Sequence, residues 1–214
     1  MDKIYQKNIA QICGTVDSDF VYSHEVYGEK FFEFTVRVER LSGTADLIPV
    51  IVSERLFDIG ENIVGEAVCV EGQFRSYNEQ LPDRMHLKLT FFAMDISVIS
   101  ENTCDLGENS IFLDGYVCKK PIYRETPLGR EISDFILAVN RPYGKSDYIP
   151  CLLWGRNARF SQSFEPGKHI KVWGRIQSRD FLKRLSETEF ENRIAYEVSV
   201  SKVEEVKEVT EDEE

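Results

Sequence analysis

Positive charge is scarce in this sequence of 214 residues: 26 lysines and arginines face 37 aspartates and glutamates, for a formal net charge of −11. Taken alone, that deficit argues against a polyanionic partner, because phosphates need local positive potential. Long apolar runs are missing too. The longest, Leu47 to Val52, contains Pro49 and falls far short of a bilayer span, which excludes a transmembrane helix. The opening Met1-Asp2-Lys3-Ile4-Tyr5 lacks the apolar core of a secretory signal, so a cytoplasmic address and no membrane partner are expected. His24, His86 and His169 are scattered, and Cys13, Cys69, Cys104, Cys118 and Cys151 form no Cys-x-x-Cys pair and stand near no histidine at zinc-ligand spacing. No metal site is expected, and all five cysteines read as free thiols packed inside the fold. Nor is there a Ser/His/acid set, a pair of catalytic acids or a glycine-rich phosphate loop, so neither catalysis nor a cofactor is expected.

Along the chain the charge is uneven. Residues 1–100 hold 9 basic against 16 acidic side chains, for −7, and the stretch 101–108 adds Glu101, Asp105 and Glu108. Residues 109–203 reverse the sign, with 16 basic against 11 acidic side chains, for +5. The tail 204–214 sets Lys207 against seven acids. The objection to a polyanion partner therefore fails for the basic half of the chain.

The sequence also repeats itself at a shift of 101 residues. Gly14-Thr15-Val16 falls on Gly115-Tyr116-Val117, Phe34 on Phe135, Val38 on Val139 and Arg40 on Arg141. Gly43, Asp46, Ile48 and Pro49 fall on Gly144, Asp147, Ile149 and Pro150 without a gap. After one inserted residue, Gly65 and Gly72 fall on Gly167 and Gly174. Two copies of one domain, residues 1–100 and 109–203, joined by a linker at 101–108 and followed by an acidic tail at 204–214, account for this pattern.

Each copy has the period of β-strands. Ile170, Val172 and Ile176 alternate with Lys171, Trp173, Arg175 and Gln177, as in a strand with one face buried. Ile132 to Asn140 meets the turn composition Pro142-Tyr143-Gly144-Lys145, and Tyr148 to Gly155 returns as the partner strand. Arg156 to Phe164 suits a short helix ended by Pro166-Gly167, the long strand around Lys171 follows, and Asn192 to Val203 closes the set. The charged run Asp180 to Asn192 reads as a mobile loop. Five strands with a helix between the third and fourth is the order of an OB-fold, so the expected class is all-β: two tandem five-stranded Greek-key barrels, each with that short helix.

A binder of unpaired strands that ignores sequence needs rings on which bases stack, interleaved with cations that follow phosphates. The second copy carries both. Tyr143 stands at the hairpin tip, Tyr148 and Trp154 on the returning strand and Phe181 at the end of the long one. Arg141, Lys145, Arg156, Arg175, Arg179, Lys183 and Arg184 surround them. Trp173 suits a subunit interface as well as a nucleic-acid contact.

In the second copy, Gly115-Tyr116-Val117, Thr126-Pro127-Leu128-Gly129, Phe135 to Arg141, Asp147 to Gly155, Pro166-Gly167-Lys168 and Val172 to Arg179 follow one another in an order and spacing that resemble the bacterial single-stranded DNA-binding protein family. That resemblance implies single-stranded DNA as partner, in replication, repair or recombination, with bases stacking at the positions of Tyr143, Tyr148, Trp154 and Phe181. It also implies assembly, here a homodimer presenting four barrels. The first copy carries Ser42, Leu47, Ser53 and Glu79 at the corresponding positions, with Tyr77 the nearest ring, so it is expected to keep the fold, lose the ligand and serve assembly or partner binding. The family's acidic tail ends in an aromatic that docks partner enzymes, whereas Glu211-Asp212-Glu213-Glu214 has the charge without the ring. A primosome-type protein adaptor and an RNA-binding OB module are the alternative readings, and the barrel also hosts oligosaccharide binders.

Overall fold

A computed structural model describes residues 7–80, 85–99, 107–184, 186 and 190–207. Residues 101–106 of the expected linker and residues 208–214 of the acidic tail lie outside the described residues. The first half builds six strands: β1 (Asn8–Val16), β2 (Val21–Val26), β3 (Glu29–Glu39), β4 (Ala45–Ser53), β5 (Ala67–Gln80) and β6 (Met85–Val98). The second repeats them as β7 (Asn109–Val117), β8 (Ile122–Glu125), β9 (Glu131–Asn140), β10 (Ser146–Trp154), β11 (His169–Arg184) and β12 (Phe190–Glu205). A six-residue helix α1 (Gly155–Phe160) lies between β10 and β11. In the first half the matching stretch 54–66 is a series of turns, interrupted by Gly60 and Gly65.

Each half is the expected β-barrel, but the helix expected in both is found only in the second, a correction for the first, where turns at 54–66 take its place. The two short strands β2 and β8 add a sixth member that period-2 reading passes over, because four to six mostly exposed residues carry no alternation. One expectation is corrected outright. The run 180–192 does not read as one loop: residues 180–184 belong to β11 and 190–192 to β12, with Phe181 opposite Arg193 and Lys183 opposite Glu191, while 185 and 187–189 lie outside the described residues. A long hairpin whose backbone is fully paired tolerates charge on both exposed faces, so charge density alone misreads it.

The matched glycines have a shared cause. A Cβ on Gly14 would stand 2.2 Å from the Arg37 carbonyl oxygen, and one on Gly115 2.4 Å from that of Ala138. Gly72 and Gly174 face the Phe92 and Ser199 carbonyls at 2.1 and 2.2 Å. At these four points one strand crosses so close to another that no side chain fits.

The halves are not beads on a string. β1 pairs antiparallel with β7, Asn8 opposite Leu113, Ala10 opposite Ile111 and Ile12 opposite Asn109, so a pseudo-twofold axis passes near Ala10 and Ile111 and one twelve-stranded sheet runs through both barrels. Asn8 and Asn109, mates in the repeat, do the same work on either side. Asn8 donates to the Phe74 carbonyl at 2.7 Å and accepts from its amide at 3.1 Å; Asn109 does so with Ile176 at 2.7 and 2.8 Å.

A second expectation fails at the cysteines. Cys13 and Cys69 face each other across β1 and β5, Cα atoms 4.2 Å apart, and form a disulfide. A separation of 56 residues gave no sign of that register. Cys118 and Cys151 are free, and burial pushes the Cys151 thiol far up, leaving it a packing residue. Cys104 lies outside the described residues.

Candidate nucleic-acid interface

The side chains of β10 alternate, sending Ile149, Cys151 and Leu153 inward and Tyr148, Leu152 and Trp154 to the outer face. On β11, Ile170, Val172 and Ile176 fill the core while Arg175 and Arg179 stand on the outer face, with Gln177 buried between them against Glu197. These two outer faces border an open groove of about 480 Å³ that holds Trp154, Arg175 and Arg179, together with Arg124 of β8 and Arg40 of the first barrel. Trp154 is 41% exposed, much for a side chain of its size. Arg124 is forked onto Asp134 at 2.8 and 3.0 Å, Arg179 sits 3.9 Å from Glu197, and Arg175 makes no ion pair among the described residues. A ring half open to solvent beside guanidinium groups is the arrangement that stacking plus phosphate contact requires. Among the described residues no three His, Cys, Asp or Glu side chains converge to hold a metal, and no helix is long and apolar enough to cross a membrane.

The remaining sequence candidates divide. Phe181, two positions beyond Arg179 on the same outer face of β11, and Tyr148, on the outer face of β10 with Trp154, extend this surface. Lys183 continues it along the hairpin, and Arg184 is exposed beside it, donating to the Ser186 carbonyl at 3.0 Å. Arg156 is exposed on α1. Tyr143 and Lys145 belong elsewhere: with Arg141 they line a smaller cleft of about 240 Å³ against Lys7, Asn8, Gln73 and Arg75 of the first barrel. Tyr143 is fully exposed at φ 64°, a left-handed backbone that a bulky residue adopts only under constraint. Trp173 shares the outer face of β11 and is partly buried there, its ring 5.1 Å from Phe112 and under the Lys202 ammonium at 4.4 Å.

Arg141 holds the barrels together. It pairs with the buried Asp147 at 3.1 Å, while Asp147 accepts the Ser76 amide at 2.7 Å and the Tyr148 amide donates to the Ser76 hydroxyl at 2.7 Å. The repeat mates do the same in reverse. Arg40 grips Asp46, Asp46 accepts the Ser178 amide at 2.6 Å, and Arg40 reaches the Ser178 carbonyl at 3.0 Å. Two latches related by the pseudo-twofold axis thus cross the seam. Burial pushes the Asp147 carboxyl above its ordinary value, with the Ser76 amide and Arg141 pulling it back. On the other side, the hydrogen bonds that Arg40 donates to Asp46 raise its pKa against the opposing effect of burial. Sequence reading missed Arg40 and Arg124 as groove residues; the match of Arg40 to Arg141 in the repeat was the signal for the first, and the second sits on the strand that carried none.

Residues 108–206 match the model of the single-strand binding protein family. That match covers the second barrel alone. The single-stranded DNA-binding protein of Oceanobacillus iheyensis is 35% identical over 80 residues, covering 34% of this chain and 50% of that protein. Single-stranded DNA-binding protein A of Bacillus subtilis is 31% identical over 96 residues, covering 42% and 56%. The match spans about half the length of these relatives. The wild-type single-stranded DNA-binding protein of Thermus aquaticus superposes over 97% of this chain and 96% of its own, with a TM-score of 0.76 at 17% identity, so both barrels share its fold.

Proposed function

We propose that this chain is a member of the single-strand binding protein family that binds single-stranded DNA without sequence preference and protects it during replication, repair or recombination in the cytoplasm. The observation that carries this is the exposed Trp154 ring between Arg124, Arg175 and Arg179 in one groove of the barrel that matches the family. Bases stack on Trp154, with Tyr148 and Phe181 along the same surface, and the guanidinium groups follow the phosphates. The role is binding, not catalysis.

Assembly is part of the reading. Ile9, half exposed on β1, lies opposite Phe112 on β7, which lies opposite Trp173 on β11, so an apolar stripe crosses the outer face of the shared sheet at the pseudo-twofold axis. A second copy packing there covers the stripe and yields a homodimer of four barrels.

Titration of the purified protein with oligo-dT, followed by tryptophan emission, tests the function. Quenching by oligo-dT with little response to a duplex of equal length is expected. Equal affinity for both, or none for either, ends the proposal. Light scattering tests the dimer, and an Ile9→Asp variant that stays dimeric rules out that face.

A further inference from the structure

The groove that holds Trp154 is not built by the second barrel alone. One of its lining residues, Arg40, comes from the first barrel, from the turn between β3 and β4. The cause lies in the edge of β11. Among the described residues, β11 pairs with β7 as far as Gly174 opposite Ile111. Beyond that point the amides and carbonyls of Ile176 and Ser178 on the same edge need other partners, because a backbone polar group at a seam is costly to leave unpaired.

Side chains take the place of the missing strand. Asn109 serves Ile176, and two residues further on the first barrel serves Ser178. Asp46 accepts the Ser178 amide at 2.6 Å and its hydroxyl at 3.3 Å, Arg40 Nη2 donates to the Ser178 carbonyl at 3.0 Å, and the Leu47 amide donates to the hydroxyl at 3.2 Å. A carboxylate and a guanidinium together imitate one peptide of a neighbouring strand. Ser178 is also held from its other edge, opposite Tyr196 of β12. The next residue is Arg179, whose side chain lines the groove, so the first barrel fixes the backbone from which that cation projects.

Arg40 does more than close an edge. Its Nε and Nη2 go to Asp46 and Ser178, which sets the plane of the guanidinium. Asp46 is sealed, its side chain 1% exposed, whereas that of Arg40 is 23% exposed. Among the described residues Nη1 has no partner. A guanidinium clamped along one edge and open along the other is ready for a phosphate oxygen without further ordering. Its neighbours are more committed: Arg124 is forked onto Asp134, and Arg179 stands beside Glu197.

From this geometry, and resting on the function proposed above, we propose that the strand site of the second barrel is a composite of both barrels, in which Arg40 of the first contacts the phosphate backbone of a strand stacked on Trp154. Asp46 is the positioning residue that carries Arg40 and Ser178 together. The acidic half of the chain thus supplies a cation to the site in the basic half, and the two barrels bind as one unit.

The test is fluorescence titration of the full chain with oligo-dT of about 10 nucleotides, short enough for one barrel, at several salt concentrations. Arg40→Gln is expected to weaken binding roughly tenfold. The log–log salt slope is expected to become shallower by about 0.7, the loss of one phosphate contact, which a merely slackened seam does not produce. A folded Arg40→Gln protein with the parent's slope overturns the composite site, whatever its affinity. Should Arg40→Gln lose its circular dichroism, Arg40→Lys decides: its single ammonium keeps Asp46 paired and leaves no donor for the groove, so the slope is again expected to fall, and the parent's slope overturns the inference. Failure of the parent protein itself to bind oligo-dT is a separate result that removes the function proposed above.

Discussion

The two barrels share a frame and differ in what they hang on it. Gly14, Gly72, Asn8, Asp46 and Arg40 have mates in Gly115, Gly174, Asn109, Asp147 and Arg141 that make equivalent contacts. Trp154, Arg175 and Arg179 have mates in Ser53, Gln73 and Tyr77, which do not. Contacts that hold strands together are thus kept in both copies, while those that face solvent have drifted. Positions answering to close backbone approach or buried charge have few alternatives; an outer face tolerates any residue its ligand allows.

The comparison breaks first if the frame is not shared. Gly174→Ala and Gly72→Ala each drive a Cβ into a carbonyl of the neighbouring strand, which only backbone movement relieves. Both are expected to lose cooperative thermal unfolding followed by circular dichroism. If one is tolerated, the strand crossing is not equivalent in the two halves.

The latches come next. Asp46→Ala leaves Arg40 and the Ser178 amide without their carboxylate and should cost about 3 kcal/mol in urea unfolding. The mate responds to pH. Asp147 has a carboxyl raised above 3.8 by burial, so the folded chain holds its proton more tightly than the unfolded one. The stabilising contribution of that proton is present in acid and fades as pH climbs through the raised value. Asp147→Asn should therefore gain on the parent protein as pH rises past the ordinary carboxylate range, measured by denaturation at a series of pH values. A gain on falling pH contradicts the stated cause.

On the outer face the expected effects are smaller. Trp154→Ala should weaken oligo-dT binding by roughly one to two powers of ten, with Ser53→Ala, its mate, neutral. If roughly five cations meet phosphates, the log–log salt slope lies near −3.5, and Arg175→Gln reduces it by about 0.7. Fluorescence titration at several salt concentrations reads both, and a slope untouched by Arg175→Gln removes that residue from the interface.

Much of this was legible before any coordinates. Ile170, Val172 and Ile176 announce their strand by alternation, and the glycine matches announce the second barrel, because both signals are local or repeat at a fixed offset. Residues 180–184 and 190–192 look like loop by charge, since pairing rather than hydrophobicity makes them strand. The candidate rings were legible as a set, yet Tyr143 fell away from Trp154: being exposed and close in sequence does not put two side chains on one side of a barrel.

The sequence by itself determined the all-β class, the duplication, the charge division and the outer residues of β10 and β11, since each follows from period, offset or composition. Only the tertiary structure decided that β1 pairs with β7, that Cys13 meets Cys69, that Arg40 and Arg141 cross the seam and that His24, Phe31 and Phe92 stack in the first barrel. Each of these joins residues far apart along the chain through the register of paired strands, and register is set by how two barrels pack, not by any one segment.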